Sequence, residues 1–309
     1  MSSADTTERE TAFDYDVVIV GGGPAGCSAG VFTARYGLDT AIFDRGRSSL
    51  QRCAHLENFL GFPAGIDIET AYGLIHDHAE EAGCEIVPDL VESVTRTDED
   101  EGFVVEPQEG EAVTARRVVA AARYDGEYLR PLGGDEMFET HEHDGEEHEY
   151  FDRSYPDHDG TTPVEGLYVA SPSEEADRQA IVAAGRGGRV GLTVVDDVRR
   201  EMGYSGQFET HHDWVREEAE LSGEWADRDR WREYADEHRA ESDDLDDEQW
   251  RTLREAEIDR RFDAYISEEE IERRGEEAHE RLLEHLDDDA VLARARQIRD
   301  ERETTEATD

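Results

Sequence analysis

The 309-residue chain carries 80 Asp and Glu against 32 basic residues, a formal charge of -48, and every one of those basic residues is Arg. Phosphate backbones and anionic membrane surfaces are bound through basic patches, so neither a nucleic acid nor a membrane is an expected partner. A content of 36% hydrophobic residues, with ordered strand and helix patterns through Tyr204, excludes a disordered acidic chain for the first two thirds and is enough for a proper core.

An acidic tail over residues 1–13 leads into Asp14 to Gly30, DYDVVIVGGGPAGCSAG, which reads as strand, glycine turn and helix. The β-branched run Val17 to Val20 suits a parallel strand covered on both faces. Gly21, Gly23 and Gly26 then satisfy G-x-G-x-x-G, a dinucleotide-binding fingerprint. The first glycine permits the tight turn, the second lets a pyrophosphate reach the backbone, and the third lets helix and strand pack closely. The phosphates are expected on free N–H groups at the positive end of the helix. A second strand, Thr40 to Phe43, ends in Asp44, where an acid is expected to bond ribose hydroxyls.

Ser48 to Gly65 reads as a loop, Glu69 to Ala82 as a helix stopped by Gly83, and Cys84 to Val87 as a third parallel strand. Leu90 to Arg96, Gly102 to Pro107 and Ala112 to Ala115 follow as three short strands of an antiparallel appendage, and Arg117 to Ala122 as a separate core strand. Gly133 to Pro163 is poor in periodicity and predicts a long exposed connector. Gly166 to Ala170 is a last core strand, and Glu174 to Glu201 a helix whose glycine-rich middle suits close packing. From Ser205 the composition shifts to highly charged helices. Trp214, Val215, Ala219 and Leu221 share a first helix, Trp225, Trp231 and Tyr234 mark a second, and Asp246 to Ile266 forms a third. Ser267 with Glu270 reads as a capping box that opens another helix toward Leu286. Such narrow apolar stripes are expected to cover the preceding domain, stabilising it, or to anchor a partner subunit.

Cys27, Cys53 and Cys84 fall in no C-x-x-C, so neither a disulfide framework nor a zinc site is implied. Cys27 sits in the helix that opens at the glycine turn, where a lowered thiol pKa and a merely packed small residue are both readings. His141, His143, His148 and His158 lie in the connector without a zinc-like spacing, and no nucleophile arrangement stands out, so no catalytic or metal-binding residue is assigned.

The turn GGGPAG, the segment Glu57 to Pro63 and the run Arg178-Gln179-Ala180 resemble, in that order, the motifs of thioredoxin reductase-like flavoproteins. The resemblance spans roughly residues 12–137 and 164–204. It implies a doubly wound α/β FAD/NAD(P)-binding Rossmann-like domain over residues 14–204 with a small antiparallel appendage, followed by an acidic α-helical extension over residues 205–309. It implies FAD as cofactor, with Gly21, Gly23, Pro24, Ala25 and Gly26 at the pyrophosphate and Asp44 and Arg45 at the ribose end. Asn58 is expected near the flavin, and Arg178, Gln179 and Ala180 at a helix N-terminus facing the ring. Ser171 takes the place of the acid that holds the ribityl chain in the family, since Ala170-Ser171 replaces its Gly-Asp. Ala122-Arg123-Tyr124 and Arg47-Ser48-Ser49 likewise replace the family's Ala-Thr-Gly and Gly-Gly-Gln. In the family, a nicotinamide domain carrying the redox C-x-x-C is inserted where this chain has only residues 133–163.

The expected function is therefore that of a FAD-dependent oxidoreductase lacking the NADPH domain and the redox disulfide. The alternative is a degenerate nucleotide-binding fold acting as a non-catalytic binding or scaffolding protein. Implied partners are a separate reductase or an electron acceptor, with a homodimer as a further assembly. The acidic start MSSADTTERETAFD has no signal-peptide pattern and no stretch of eighteen apolar residues occurs, so the expected location is the cytoplasm.

The charge balance resembles that of proteins from salt-accumulating halophiles. Like charges strain the fold at about 0.1 M salt, where the Debye length is roughly 10 Å, and are largely screened at about 1 M, where it is roughly 3 Å. Dialysis from molar salt to about 0.1 M should therefore abolish the folded circular dichroism signal; a cooperative thermal transition retained at low salt would contradict this.

Overall fold

Hydrophobic periodicity and glycine placement resolve into two units in the computed structural model, which describes residues 13–46, 48–97, 101–123, 126–143, 146–174, 178–239 and 245–306. The tail before Phe13, Arg47, Tyr124 and the 175–177 stretch thus lie outside the described residues. One unit runs through Asp213 and the other begins at Trp214, comprising Trp214–Arg239 and the chain from Leu245 onward.

In chain order the first unit comprises β1 (Tyr15–Val20), α1 (Pro24–Tyr36), β2 (Thr40–Phe43), α2 (Ile68–Glu81), β3 (Glu85–Val87), β4 (Val91–Arg96), β5 (Phe103–Pro107) and β6 (Val113–Ala120). It continues with a short α3 (Arg130–Gly133), β7 (Phe138–His143), β8 (Glu146–Phe151), β9 (Leu167–Val169) and α4 (Ala180–Met202). Strands β3, β2, β1, β6 and β9 pair in parallel, while β4 and β5 add antiparallel strands to the other end of β6. The expected α/β Rossmann-like domain with an antiparallel appendage is therefore observed.

β1 is buried on both faces, as its uninterrupted β-branched run requires. Val17 and Ile19 pack into one core with Ala29, Val190 and Val194 from α1 and α4. Val18 and Val20 pack into the opposite core with Phe103, Leu129 and Met137. Two sequence expectations change here. The predicted strands at Ala112–Ala115 and Arg117–Ala122 are one strand, β6: Val113 to Ala115 pair with β5, and Val118 to Ala120 pair with β9. The Arg116-Arg117 pair does not interrupt it, because Arg116 faces solvent and the buried Arg117 guanidinium is paired with Glu201.

The predicted exposed connector is the second correction. Strands β7 and β8 pair antiparallel as a hairpin, in register from Phe138↔Phe151 to His143↔Glu146. Its tip is polar, but Met137 and Phe151 at its base are buried in the core, with Tyr155 packed against them. The polar tip masks this alternation in the sequence. Helix α4 also starts later than predicted, at Ala180, after an extended Gln179.

Helices α1 and α4 cross in close contact because glycine lines the α4 face. A Cβ added at Gly187 would lie 2.0 Å from the Ala25 carbonyl oxygen, and one at Gly191 would lie 2.7 Å from that of Ala29. Near the end of α4, the buried Arg199 donates to the Phe208 and Glu209 carbonyls, and Arg35 grips Asp213 through two bonds of 2.5 and 2.7 Å. Packing within this unit therefore extends beyond Tyr204.

The second unit contains β10 (Arg216–Glu217), α5 (Arg228–Glu237), α6 (Asp247–Asp263), β11 (Tyr265–Ile266), α7 (Glu268–Glu284) and α8 (Asp288–Glu306). The helix expected from Trp214 to Leu221 is absent. In its place β10 pairs in parallel with β11, and Trp214 is exposed. Trp225, Trp231 and Tyr234 do cluster, with ring centroids 4.7 to 6.0 Å apart. The full capping box falls at Asp246 and Gln249, whereas Ser267 supplies the half in which its hydroxyl accepts from the Glu270 N–H. No residue of α7 or α8 is buried.

Gly187→Ala should destabilise the first unit by about 3 kcal/mol, because the colliding atom is backbone and cannot rotate away. Melting in molar salt should record a Tm lower by roughly 6 to 12 °C.

Candidate nucleotide-binding site

The turn between β1 and α1 is built by glycines with different tasks. Gly21 takes φ +118°, a conformation that only glycine adopts readily, and a Cβ there would lie 2.7 Å from the Ala121 carbonyl oxygen. A Cβ on Gly26 would meet the Gly21 carbonyl oxygen at 1.8 Å. These two close the turn onto the sheet and the helix. Gly23 instead lines a cleft, and a Cβ there would meet only the Ser48 side chain, Oγ at 3.1 Å and Cβ at 3.9 Å. It presents backbone to a cleft, as a pyrophosphate-facing glycine must.

That cleft has a volume of about 590 Å³, in the range of cofactor sites. Gly21, Gly23, Pro24 and Ala25 line one end and Asp44 and Arg45 flank them, while Asn58, Ser171, Arg178, Gln179 and Ala180 line the remainder. The fold thus brings eleven of the twelve sequence-predicted positions into one cavity. Gly26 does not line it; its contribution is the close packing just described.

Two helices, α1 and α4, begin at this cleft. Neither has a side-chain cap or an acidic residue in its first turn, although the chain holds 80 acids. By contrast, α6 and α7 begin with acids at their first positions. The N–H groups and positive dipole ends of α1 and α4 therefore remain available to an anion or an electron-rich ring edge. A group with a pyrophosphate at one end fits this arrangement.

Asp44, at the end of β2, is fixed by three donors. Its Oδ1 accepts the Gly46 N–H at 3.0 Å, and its Oδ2 accepts the Tyr72 hydroxyl and lies 3.2 Å from His76 Nε2. Burial alone would raise this carboxyl's pKa, but the bonds from His76, Tyr72 and Gly46 outweigh it and hold the carboxyl below its usual range. At the opposite end, Asn58 Nδ2 donates to Gln179 Oε1 at 2.8 Å. This bond joins the loop after β2 to the start of α4.

Of the two readings of Cys27, the packed one fits. Its thiol is buried and donates to the Gly22 carbonyl at 3.3 Å, and burial, reinforced by the Asp44 charge, pushes its pKa up. Among the connector histidines, His141 and His148 are cross-strand partners and His158 accepts from Arg189. No group of three or more metal-ligating side chains occurs among the described residues. Sequence reasoning missed Tyr72 and His76. Their signal was the i, i+4 spacing on α2, which is readable only once α2 is known to lie beneath the end of β2.

Residues 15–152 match the pyridine nucleotide-disulphide oxidoreductase family. A component of the alkyl hydroperoxide reductase of Staphylococcus aureus is 50% identical over 60 residues, 19% of this chain and 12% of that protein. Thioredoxin reductase of Streptomyces clavuligerus is 32% identical over 121 residues, 38% of this chain and 36% of that protein. The matched region thus spans about an eighth of the first relative and about a third of the second. Among solved structures, a thioredoxin reductase from Gloeobacter violaceus is 18% identical with a TM-score of 0.49, covering 66% of this chain and 98% of that one. The thioredoxin reductase of T. acidophilum is 19% identical with a TM-score of 0.46, covering 60% and 98%. Residues 15–152 are thus similar to the pyridine nucleotide-disulphide oxidoreductases, a family that binds FAD.

Proposed function

We propose that this chain is a FAD-dependent oxidoreductase related to thioredoxin reductase, or the flavin half of such an enzyme, working without a nicotinamide domain or redox disulfide of its own. The observation that carries this reading is the single cleft into which two uncapped, acid-free helix N-termini open beside a glycine turn. Around FAD, the turn N–H groups would hold the pyrophosphate, Asp44 the ribose, and Arg178, Gln179 and Ala180 the edge of the ring. The bound flavin supplies hydride or electron transfer. The chain's own residues bind and orient it, and no side chain is assigned as acid, base or nucleophile.

The missing parts follow from the sequence and the hairpin. Residues 133–163, where relatives of this kind carry a second domain, contain the β7–β8 hairpin, too short for a second βαβ domain. The sequence has no C-x-x-C, and of its three thiols Cys27 and Cys84 are buried. Electrons would then come from a diffusible donor or a separate reductase and pass to an acceptor that this chain does not itself provide. No described helix is long and apolar enough to cross a membrane. The composition supports a salt-adapted protein.

A second reading, a non-catalytic nucleotide-binding or scaffolding protein, is favoured by Ser171 standing where the family has a ribityl-binding acid. A charge-assisted hydrogen bond contributes about 1.5 to 3 kcal/mol, so its loss lowers affinity roughly ten- to a hundredfold. The absorbance spectrum of freshly purified protein separates the readings. Flavin bands are expected, and a colourless protein that also fails to take up added FAD would support the second reading.

Gly23→Val should lower flavin content at least about tenfold while leaving the circular dichroism spectrum unchanged, since the new side chain projects into the cleft and not into the core. Unchanged flavin content would mean that the turn is only structural.

Mixed with NADPH and thioredoxin, the flavin-loaded chain should reduce no thioredoxin. Anaerobic titration with NADH or NADPH should bleach the flavin slowly and without saturation. Fast, saturable bleaching would show that the chain carries a nicotinamide site after all.

A further inference from the structure

Helix α2 supports the nucleotide cleft from beneath. Tyr72 and His76 stand one turn apart on it, with ring centroids 4.3 Å apart. Tyr72 donates its hydroxyl hydrogen to Asp44 Oδ2. His76 Nε2 lies 3.2 Å from that same oxygen and 2.9 Å from the Gly22 carbonyl oxygen. Both neighbours are acceptors, so Nε2 carries a hydrogen in either protonation state, and the ring gains its charge at Nδ1. Neither side chain lines the cleft, whereas Asp44 and Gly22 both do. A Cβ at Gly22 would lie 2.5 Å from the Asp44 Cβ, so the carboxylate packs flush beneath the turn. Turn, acid and helix are therefore in direct contact.

We propose that Tyr72 and His76 are positioning residues of the nucleotide site: Tyr72 locks the Asp44 carboxylate for an adenosine ribose, and the charged His76 ring, seated against the Gly22 carbonyl, strengthens the phosphate cradle. This rests on the nucleotide site of the preceding proposal. In a chain without a single Lys, an imidazolium beneath the turn is a source of positive charge that the glycine motif itself lacks.

The groups around His76 set the sign of its pH dependence. Asp44 faces it from β2, Tyr72 and Glu80 share α2 with it, and Cys27 of α1 bonds the same Gly22 carbonyl. Tyr72 and Cys27 are pushed up and remain neutral. Burial disfavours the charged ring, but Asp44, the Gly22 carbonyl and Glu80 outweigh it and raise His76 above its ordinary 6.5. The charge is thus present at lower pH and lost as pH rises through the raised value, and phosphate affinity falls with it. With its side chain 21% exposed, His76 is screened by salt less than a surface charge.

The test is calorimetric titration of the full-length, flavin-stripped protein with ADP, FAD and FMN in molar salt, from about pH 6 to about pH 9. ADP affinity of the unmutated chain should fall roughly three- to tenfold across that range. Tyr72→Phe should weaken ADP and FAD roughly fivefold at every pH and leave FMN, which has no adenosine ribose, unchanged. His76→Gln keeps an N–H donor but no charge, so its ADP affinity should be flat with pH and match the unmutated chain at the alkaline end. If Tyr72→Phe fails to fold, comparison of the unmutated and His76→Gln pH profiles decides. A flat profile in the unmutated chain, or equal ADP affinity in Tyr72→Phe, overturns the inference. FAD bound with a flat profile sinks this inference and leaves the oxidoreductase reading standing. ADP bound with the expected profile but no flavin uptake does the reverse, and binding of no adenine nucleotide at all sinks both.

Discussion

The close approach of α1 to the sheet and to α4 is the constraint on which the first unit depends. The Gly26 Cα lies where any side chain would strike the Gly21 carbonyl, and Gly187 and Gly191 leave room for the Ala25 and Ala29 carbonyls across the helix crossing. Because the helices sit this close, their N-termini, neither with a side-chain cap, open into one cavity. Backbone atoms cannot rotate out of a clash as side chains can, so glycine is required at these contacts.

Around that contact the sheet does two jobs through one strand. The first half of β6 carries the antiparallel appendage, and its second half carries β9 in parallel, delivering Ser171 to the cleft. Asp44 arrives in the same way from the end of β2. Ligand groups therefore collect at the carboxyl ends of the parallel strands, where doubly wound sheets place them. The β7–β8 hairpin anchors its own base with Met137 and Phe151 in the core.

Charge is distributed with the same selectivity. Acids crowd the first turns of α6 and α7, where they favour the helix dipole, and are absent from the first turns of α1 and α4. Of the acids lining the cleft, Asp44 has both oxygens engaged by donors from the chain itself. Surface Arg residues pair with neighbouring carboxylates, as Arg273 does with Glu270 and Glu277. Exposed pairs of this kind contribute about 0 to 1 kcal/mol each and leave most of the negative charge to be screened by salt.

Local pattern determined much of this protein. The β-branched run and G-x-G-x-x-G specified β1, the turn and α1, since a buried strand and a tight glycine turn have few alternatives, and Asp44 was legible as the acid ending β2. The residues of the motif order from Gly21 through Asn58 to Ala180 line one cleft. Tertiary structure decided what depends on residues distant in sequence. It fused two predicted strands into β6, because Glu201 neutralises Arg117 from 84 positions away. It turned a polar connector into a hairpin, because only its base is buried, and it replaced the helix expected from Trp214 with a strand paired to β11, 49 positions further on. It also brought Tyr72 and His76 beneath Asp44, a contact set by the packing of α2 under the sheet and invisible to any local period.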